Sequence, residues 1–332
     1  MITPASTVPQ PRTVDGSTGV TAAVDIGGTK IAGALVRPDG TMTAATRRPT
    51  PRGVDGDGVM AAVEEVVAEL AAAPEWAEVR RCGIGSAGPV DASRGTVSPV
   101  NIGAWRGFPV QARTEAALAA HGARVPVALV GDGVAMTAAE HWLGAARGHD
   151  NALCMVVSTG VGGGLVLDGR LHPGPTGNAG HIGHISVAFD GEPCVCGARG
   201  CVEAIASGTS LARWALAAGW QPATADRTAA GLAAAARDGD EVARAAFDRA
   251  GRALAAAIAA TATLVEVDVA VIGGGVALSG DTLFGPLRAH LASYATLDFV
   301  QGLTVVPAAL GTDAGLIGAA AAAVELLPAS RG

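Results

Sequence analysis

Residues 20–40 read VTAAVDIGGTKIAGALVRPDG, and residues 152–169 read ALCMVVSTGVGGGLVLDG. Each stretch starts as a short apolar strand, passes through a glycine-rich segment, resumes as a strand and closes on an Asp-Gly turn. The pattern strand, glycine loop, strand, turn therefore occurs twice, which is a weak internal repeat and predicts two related lobes. After the first copy come a strand over 41–48 and a helix over 59–70, with Met60, Val63, Val66, Val67 and Leu70 on one apolar face. Strands are predicted over 81–85 and 125–130, then a helix over 133–143. After the second copy come Ala-rich helices over 204–218, 231–236 and 241–263, a strand over 267–272, a Gly273-Gly274-Gly275 turn and a closing helix over 313–327. Strands and helices alternating around two restarts predict an α/β protein with a cleft between two lobes.

The bulk properties agree. At 332 residues the chain is long enough for about two domains, and 49% hydrophobic content excludes a disordered chain. The net charge of −7 and scattered arginines speak against nucleic acid as a partner. Lys30 is the only lysine. No uninterrupted apolar run reaches the roughly 20 residues of a membrane span. Residues 1–19 have no apolar core and no basic start, so they read as a mobile polar tail, not a secretory signal. The expectation is a cytoplasmic protein without disulfides and without a membrane partner. Five cysteines, an odd number, agree with that.

Three phosphate-loop readings compete for the glycines. The P-loop string GxxxxGK[ST] is absent. GxGxxG occurs at residues 83–88, straight after a strand, but turn chemistry follows where a helix would have to open. The third reading is a pair of glycine hairpins whose backbone N–H groups approach phosphate closely. Gly27 and Gly28 belong to the first, with Thr29 and Lys30 as added donors and Asp25 holding Mg²⁺ through water. Thr159, Gly160, Gly162 and Gly163 belong to the second. Either hairpin alone reads equally well as an ordinary tight turn; two of them, one per lobe, favour the phosphate reading.

His184, Cys194, Cys196 and Cys201 form a second constellation. One histidine and three cysteines are the ligand set of a closed tetrahedral Zn²⁺ site, and thiolates this close would repel one another without a cation. With four protein ligands such a zinc holds a loop and activates no water. Cys82 and Cys154 lie in apolar strands and read as core.

These residues carry a resemblance. Asp25-Ile-Gly-Gly-Thr-Lys30, the 158–164 loop, Asn178-Ala-Gly-His-Ile-Gly-His184 and Cys194-Val-Cys-Gly-Ala-Arg-Gly-Cys-Val-Glu203 are similar to those of ROK-family sugar kinases. Gly273-Gly-Gly-Val-Ala277 and Leu310-Gly-Thr-Asp-Ala-Gly-Leu-Ile-Gly318 are weaker matches. The resemblance runs from about residue 21 to residue 323 and implies the two-lobed actin-like ATPase (ribonuclease H-like) fold. It implies ATP-dependent phosphorylation of a sugar hydroxyl, usually the 6-hydroxyl of a hexose, most simply glucose. The small lobe would take residues 20–131 and 313–332, the large lobe 132–312, with the zinc loop at 184–201. Asp132 would be the base; its position between strand and helix also suits an N-cap. Asn101, Ser86, Gly88, Gly131, His181, His184 and Glu203 would line the sugar pocket. Gly274, Gly275 and Gly311 would lie around the adenosine. Family members are often homodimers or homotetramers.

Two positions depart from the family pattern. Gly131 stands where Asn usually precedes the catalytic Asp, and His181 stands where Glu usually opens the Glu-x-Gly-His string. Both changes fall on the sugar side. They leave open a glucokinase that fills the gap with water and a kinase for an amino sugar, such as 3-amino-3-deoxyglucose or an N-acetylhexosamine. A sugar-binding regulator without turnover is the reading from another class. Intact Asp25, Thr29 and Asp132 argue against it; a transcriptional repressor is a separate reading, and the 19 residues before the first strand leave no room for its winged helix-turn-helix.

Overall fold

The computed structural model describes residues 19–327. Of the tail expected over 1–19, residues 1–18 lie outside the described residues, as does the end of the small lobe beyond 327. Strands β1 (Val20–Ile26), β2 (Lys30–Val36) and β3 (Met42–Pro49) form an antiparallel meander. Helix α1 (Gly56–Ala71) carries the chain to β4 (Val79–Ser86), parallel to β1. A two-stranded ribbon of β5 (Val90–Asp91) and β6 (Thr96–Val97) follows, then α2 (Val110–Ala120), β7 (Val127–Gly131) parallel to β4, and α3 (Asp132–Trp142). The resulting sheet has the order β3-β2-β1-β4-β7.

The second half repeats the scheme. β8 (Ala152–Val157), β9 (Val161–Leu167) and β10 (Arg170–His172) form the meander. Helices α4 (Val202–Ala206), α5 (Gly208–Ala217), α6 (Ala229–Arg237) and α7 (Glu241–Val265) lead to β11 (Val269–Gly273), parallel to β8. Then come α8 (Asp281–Tyr294), β12 (Thr304–Pro307) parallel to β11, and α9 (Ala314–Leu326). The order β10-β9-β8-β11-β12 matches the first sheet strand for strand. The restart read from the glycine segments is thus a repeat of whole supersecondary structure.

Local chemistry explains the elements. The Asp55 carboxylate accepts the Gly58 N–H at 2.8 Å and caps α1. That helix buries Val59, Met60, Val63, Val66, Val67 and Leu70 in the core of the first sheet. Asp240 caps α7 in the same way, with 2.8 Å to the Ala243 N–H. α7 buries Phe247, Leu254 and Ile258 in the larger core of the second sheet. Each fully buried side chain of this size contributes about 1.5–3 kcal/mol.

The two closing helices exchange sheets. α3, which leaves the first sheet, lies on β8 and β9 of the second; α9, which leaves the second, lies on β1 and β4 of the first. They cross closely: a Cβ on Gly318 would stand 1.8 Å from the Ala135 carbonyl oxygen, so this crossing admits only glycine.

Some elements differ from expectation. The helix predicted over 204–218 is two helices, because Ser207 ends α4 and then caps α5 by accepting the Ser210 N–H. α2, α8 and β12 were not anticipated. α2 buries only Val110, Thr114 and Leu118 among Ala and polar residues, so its apolar stripe is faint. α8 contains Pro286, which reads as a breaker, and β12 is short.

Candidate active site

The three parallel strands of the first sheet end together. Their register pairs Asp25 with Gly85, Ile26 with Ser86, and Ser86 with Gly131. Asp25, Ser86 and the Gly131–Asp132 junction are thus collected at one sheet edge, where α/β proteins bind ligands.

The first hairpin closes through the Gly27 N–H on the Lys30 carbonyl at 2.9 Å. Thr29 and Lys30 stand exposed at its tip. Thr50 braces the hairpin from behind, its hydroxyl donating to the Gly27 carbonyl at 2.6 Å. Asn101 lies against Gly28, where an added Cβ would meet its side chain at 2.6 Å. Asn101 therefore flanks the first hairpin. Gly28 and Asn101 also line a pocket of about 220 Å³ with Arg52 and Thr50.

Asp25 looks across to the start of α9. A Cβ on Gly315 would stand 2.7 Å from its Oδ2, so the helix approaches the carboxylate only because that residue is glycine. Burial pushes the pKa of Asp25 from 3.8 up to about 6; Lys30 opposes the rise and the charge of Asp132 adds to it. Asp25 thus senses the charge of Asp132.

Asp132 is the first residue of α3, and its Oδ1 accepts the Gly133 N–H at 2.7 Å. Gly131, not Asp132, occupies the N-cap position and no side chain caps the helix, so the N-cap reading of Asp132 does not hold; the Gly133 contact leaves the second carboxylate oxygen free. The side chain is open to solvent toward the cleft, while the protein around it desolvates the carboxylate and raises its pKa. The Gly133 N–H and His181 pull the other way.

The second hairpin sits opposite. The Ser158 N–H donates to the Gly160 carbonyl at 2.8 Å. A Cβ on Gly162 would lie 3.8 Å from Asp132 Oδ1, so this hairpin comes within reach of that carboxylate. Gly163 stacks on the first turn of α3. Gly274 and Gly275 lie beside the hairpin, where the Val276 N–H donates to the Val157 carbonyl at 3.0 Å. Gly311 opens the short turn Gly311–Asp313 that leads into α9.

Gly88 and His181 are neighbours: a Cβ on Gly88 would lie 3.9 Å from the imidazole Cε1. The rings of His181 and His184 stack with centroids 5.9 Å apart. Around Gly131 there is space, since an added Cβ would meet only the Gly177 carbonyl oxygen, at 3.9 Å. Glu203 makes a contact that the sequence did not announce. Its Oε2 accepts the Val161 N–H at 2.8 Å, so it holds the second hairpin from the side of the Cys/His loop. The Thr209 hydroxyl donates to the Thr159 carbonyl, and the Gly208 N–H donates to the Ser158 carbonyl at 2.7 Å. The α4–α5 junction therefore clasps that hairpin at three points.

His184, Cys194, Cys196 and Cys201 converge, with all four donor atoms within 4.8 Å of one another. Cys194 Sγ lies 3.8 Å from His184 Nδ1, and the Cys196 and Cys201 sulfurs are 3.7 Å apart. Zn–S bonds of about 2.3 Å and Zn–N bonds of about 2.0–2.1 Å give tetrahedral edges of about 3.5–3.8 Å. The donor set and its spacing fit Zn²⁺. The sequence reading missed one buried carboxylate near the site, Glu140 of α3. Its signal was a charge at heptad-like distance from Met136 and Leu143, on the apolar side of a helix.

Among the described residues no helix is long and apolar enough to cross a membrane. The profile of the ROK family matches residues 21–325. A glucokinase of Thermotoga maritima is 36% identical over 312 residues, covering 90% of this chain and 95% of that protein. An N-acetylmannosamine kinase of Yersinia pseudotuberculosis is 35% identical over 298 residues, covering 90% and 96%. The crystal structure of a ROK family glucokinase from Streptomyces griseus with glucose and AMPPNP superposes with a TM-score of 0.75. It shares 33% identity and covers 92% of this chain and 99% of that one.

Proposed function

The chain belongs to the ROK family, and from that premise we propose that it is a glucose kinase that transfers the γ-phosphoryl group of ATP to the 6-hydroxyl. The observation that carries this reading is Asp132, a carboxylate at a helix start, open to the cleft and within reach of the second glycine hairpin. Phosphoryl transfer needs positioning and charge stabilisation more than covalent help. Asp132 aligns the hydroxyl and accepts its proton as the O–P bond forms. Its raised pKa makes it a better acceptor.

Gly27, Gly28, Thr29 and Lys30 meet the phosphates from one side, and Thr159, Gly160, Gly162 and Gly163 from the other. Gly274, Gly275 and Gly311 border the adenosine. Ser86, Gly88, Asn101, His181, His184 and Glu203 line the sugar pocket around Gly131. Asp25 would hold Mg²⁺ through water beside the nucleotide, where the ion would neutralise phosphate charge. Cys194, Cys196, Cys201 and His184 would hold Zn²⁺ as a brace for the loop that ends at Glu203. The lobes are assigned to 20–131 with the α9 segment and to 132–312, in a cytoplasmic homodimer or homotetramer.

A second acceptor class has its own support. The space at Gly131 and the imidazole of His181 suit an amino sugar or N-acetylhexosamine, in line with the name of the Yersinia relative. The deciding experiment is a coupled ADP-release assay with Mg²⁺ and a sugar panel. The panel holds glucose, mannose, fructose, N-acetylglucosamine, N-acetylmannosamine, glucosamine and 3-amino-3-deoxyglucose. Glucose leading by kcat/KM supports the first reading, and an amino sugar leading makes Gly131 and His181 the specificity switch. No turnover on any sugar refutes kinase activity.

A further inference from the structure

Eight residues beyond Asp132, about 12 Å along α3, stands a carboxylate that solvent does not reach: Glu140 is 0% exposed. Its neighbours Met136, Ala139 and Cys154 belong to an apolar core, so an apolar side chain would suit the helix itself. Burying a carboxylate is costly unless donors surround it. Here they do. Oε2 accepts the Ala145 N–H at 2.7 Å, Oε1 accepts the Leu310 N–H at 3.0 Å, and both oxygens share the Ala309 N–H at 3.0 and 3.1 Å. Glu140 fills a nest of backbone N–H groups that two loops would otherwise leave unpaired.

One of these loops leads to the phosphate side. Ala309 and Leu310 run directly into the turn Gly311–Asp313 and the first turn of α9. That turn carries Gly315, whose missing Cβ makes room for the Asp25 carboxylate. Glu140 thus ties the helix that begins at Asp132 to the segment that seats Asp25.

We propose that Glu140 is a positioning residue for the phosphoryl donor: it holds the 308–313 segment against α3, so that the start of α9 and Asp25 face Asp132. The role rests on the kinase reading above. It touches no substrate itself, and its loss acts on the nucleotide side, leaving the sugar side in place.

The test is calorimetry on the full chain, with AMPPNP plus Mg²⁺ and, separately, with the sugar leading the panel. Glu140→Gln replaces one acceptor oxygen with an NH2 group that faces N–H donors. The expected result is a rise of about tenfold in the AMPPNP dissociation constant, the effect of one lost charge-assisted hydrogen bond. The sugar constant moves by less than about twofold, and KM for ATP rises more than kcat falls. A folded variant with unchanged nucleotide affinity and a lower Tm overturns the proposal, because that is the mark of a purely structural group. Should Glu140→Gln fail to fold, Glu140→Asp reads the same split, since it keeps the charge but draws the oxygens back by one methylene; equal loss of both affinities there overturns it too. A parent protein that binds neither ligand refutes the kinase reading and this role together, and its own isotherms distinguish that case.

Discussion

The charge of Asp132 reaches Asp25, and the proposed kinase gives the two carboxylates separate tasks. Asp132→Asn keeps a side-chain oxygen for the Gly133 N–H and loses the proton acceptor. Turnover should fall by about 10²- to 10⁴-fold, while circular dichroism and the sugar dissociation constant stay near those of the parent. An unchanged rate would remove Asp132 as the base. Asp25 makes a pH prediction. Burial raises its pKa from 3.8 to about 6 in the folded chain, so the folded state binds more protons than the unfolded state between those values. This group therefore favours folding most below pH 3.8, and that contribution is lost as pH rises toward 6. Denaturant titrations of the ligand-free protein should show that slope, and Asp25→Asn should flatten it. At this scale the sequence was legible where chemistry is local. The glycine hairpins, Asp132 and the Cys/His set were read as strings. The bond from Glu203 to the Val161 N–H spans 42 positions. Glu140 reaches the Ala309 N–H across 169 positions. No local pattern encodes either.

The Cys/His loop and the second hairpin are joined as one element. Cys201 is followed two residues later by Glu203, and Glu203, Gly208 and Thr209 clasp the hairpin 158–164. A metal held by these four donor atoms, which lie within 4.8 Å of one another, would brace this loop. Chelation, or Cys196→Ser, should lower Tm by about 5 °C or more and weaken sugar binding. Metal analysis of the parent should give zinc at one per chain. Unchanged Tm with zinc absent throughout would rule out a metal brace. Strands and helices with strong apolar periodicity, such as β1, β8, α1 and α7, were readable from residue order. α2 and α8 were not, because a helix with a thin stripe or an internal proline looks like a loop until its neighbours are known. The repeat itself repairs this: each half needs a helix between its last two parallel strands, and α2 and α8 occupy those places.

At the scale of the molecule, the site is shared. Asp25 and Asp132 come from the first sheet and its closing helix, and the hairpin 158–164 from the second. Ligands that bridge the two should stabilise more together than separately. Each alone, at a hundred times its dissociation constant, adds about 2.7 kcal/mol. Glucose and AMPPNP with Mg²⁺ should raise Tm beyond the sum of their single shifts in differential scanning fluorimetry. Strict additivity would mean that the two sites do not communicate. The exchange of α3 and α9 between the sheets has its own consequence. Each half lends the other the helix that covers its apolar face, and the crossing at Gly318 leaves no room to slide. Neither half is an autonomous folding unit. The chain resembles a helix-exchanged pair joined by a tether, so the two halves must acquire their order, and give it up, in a single cooperative event.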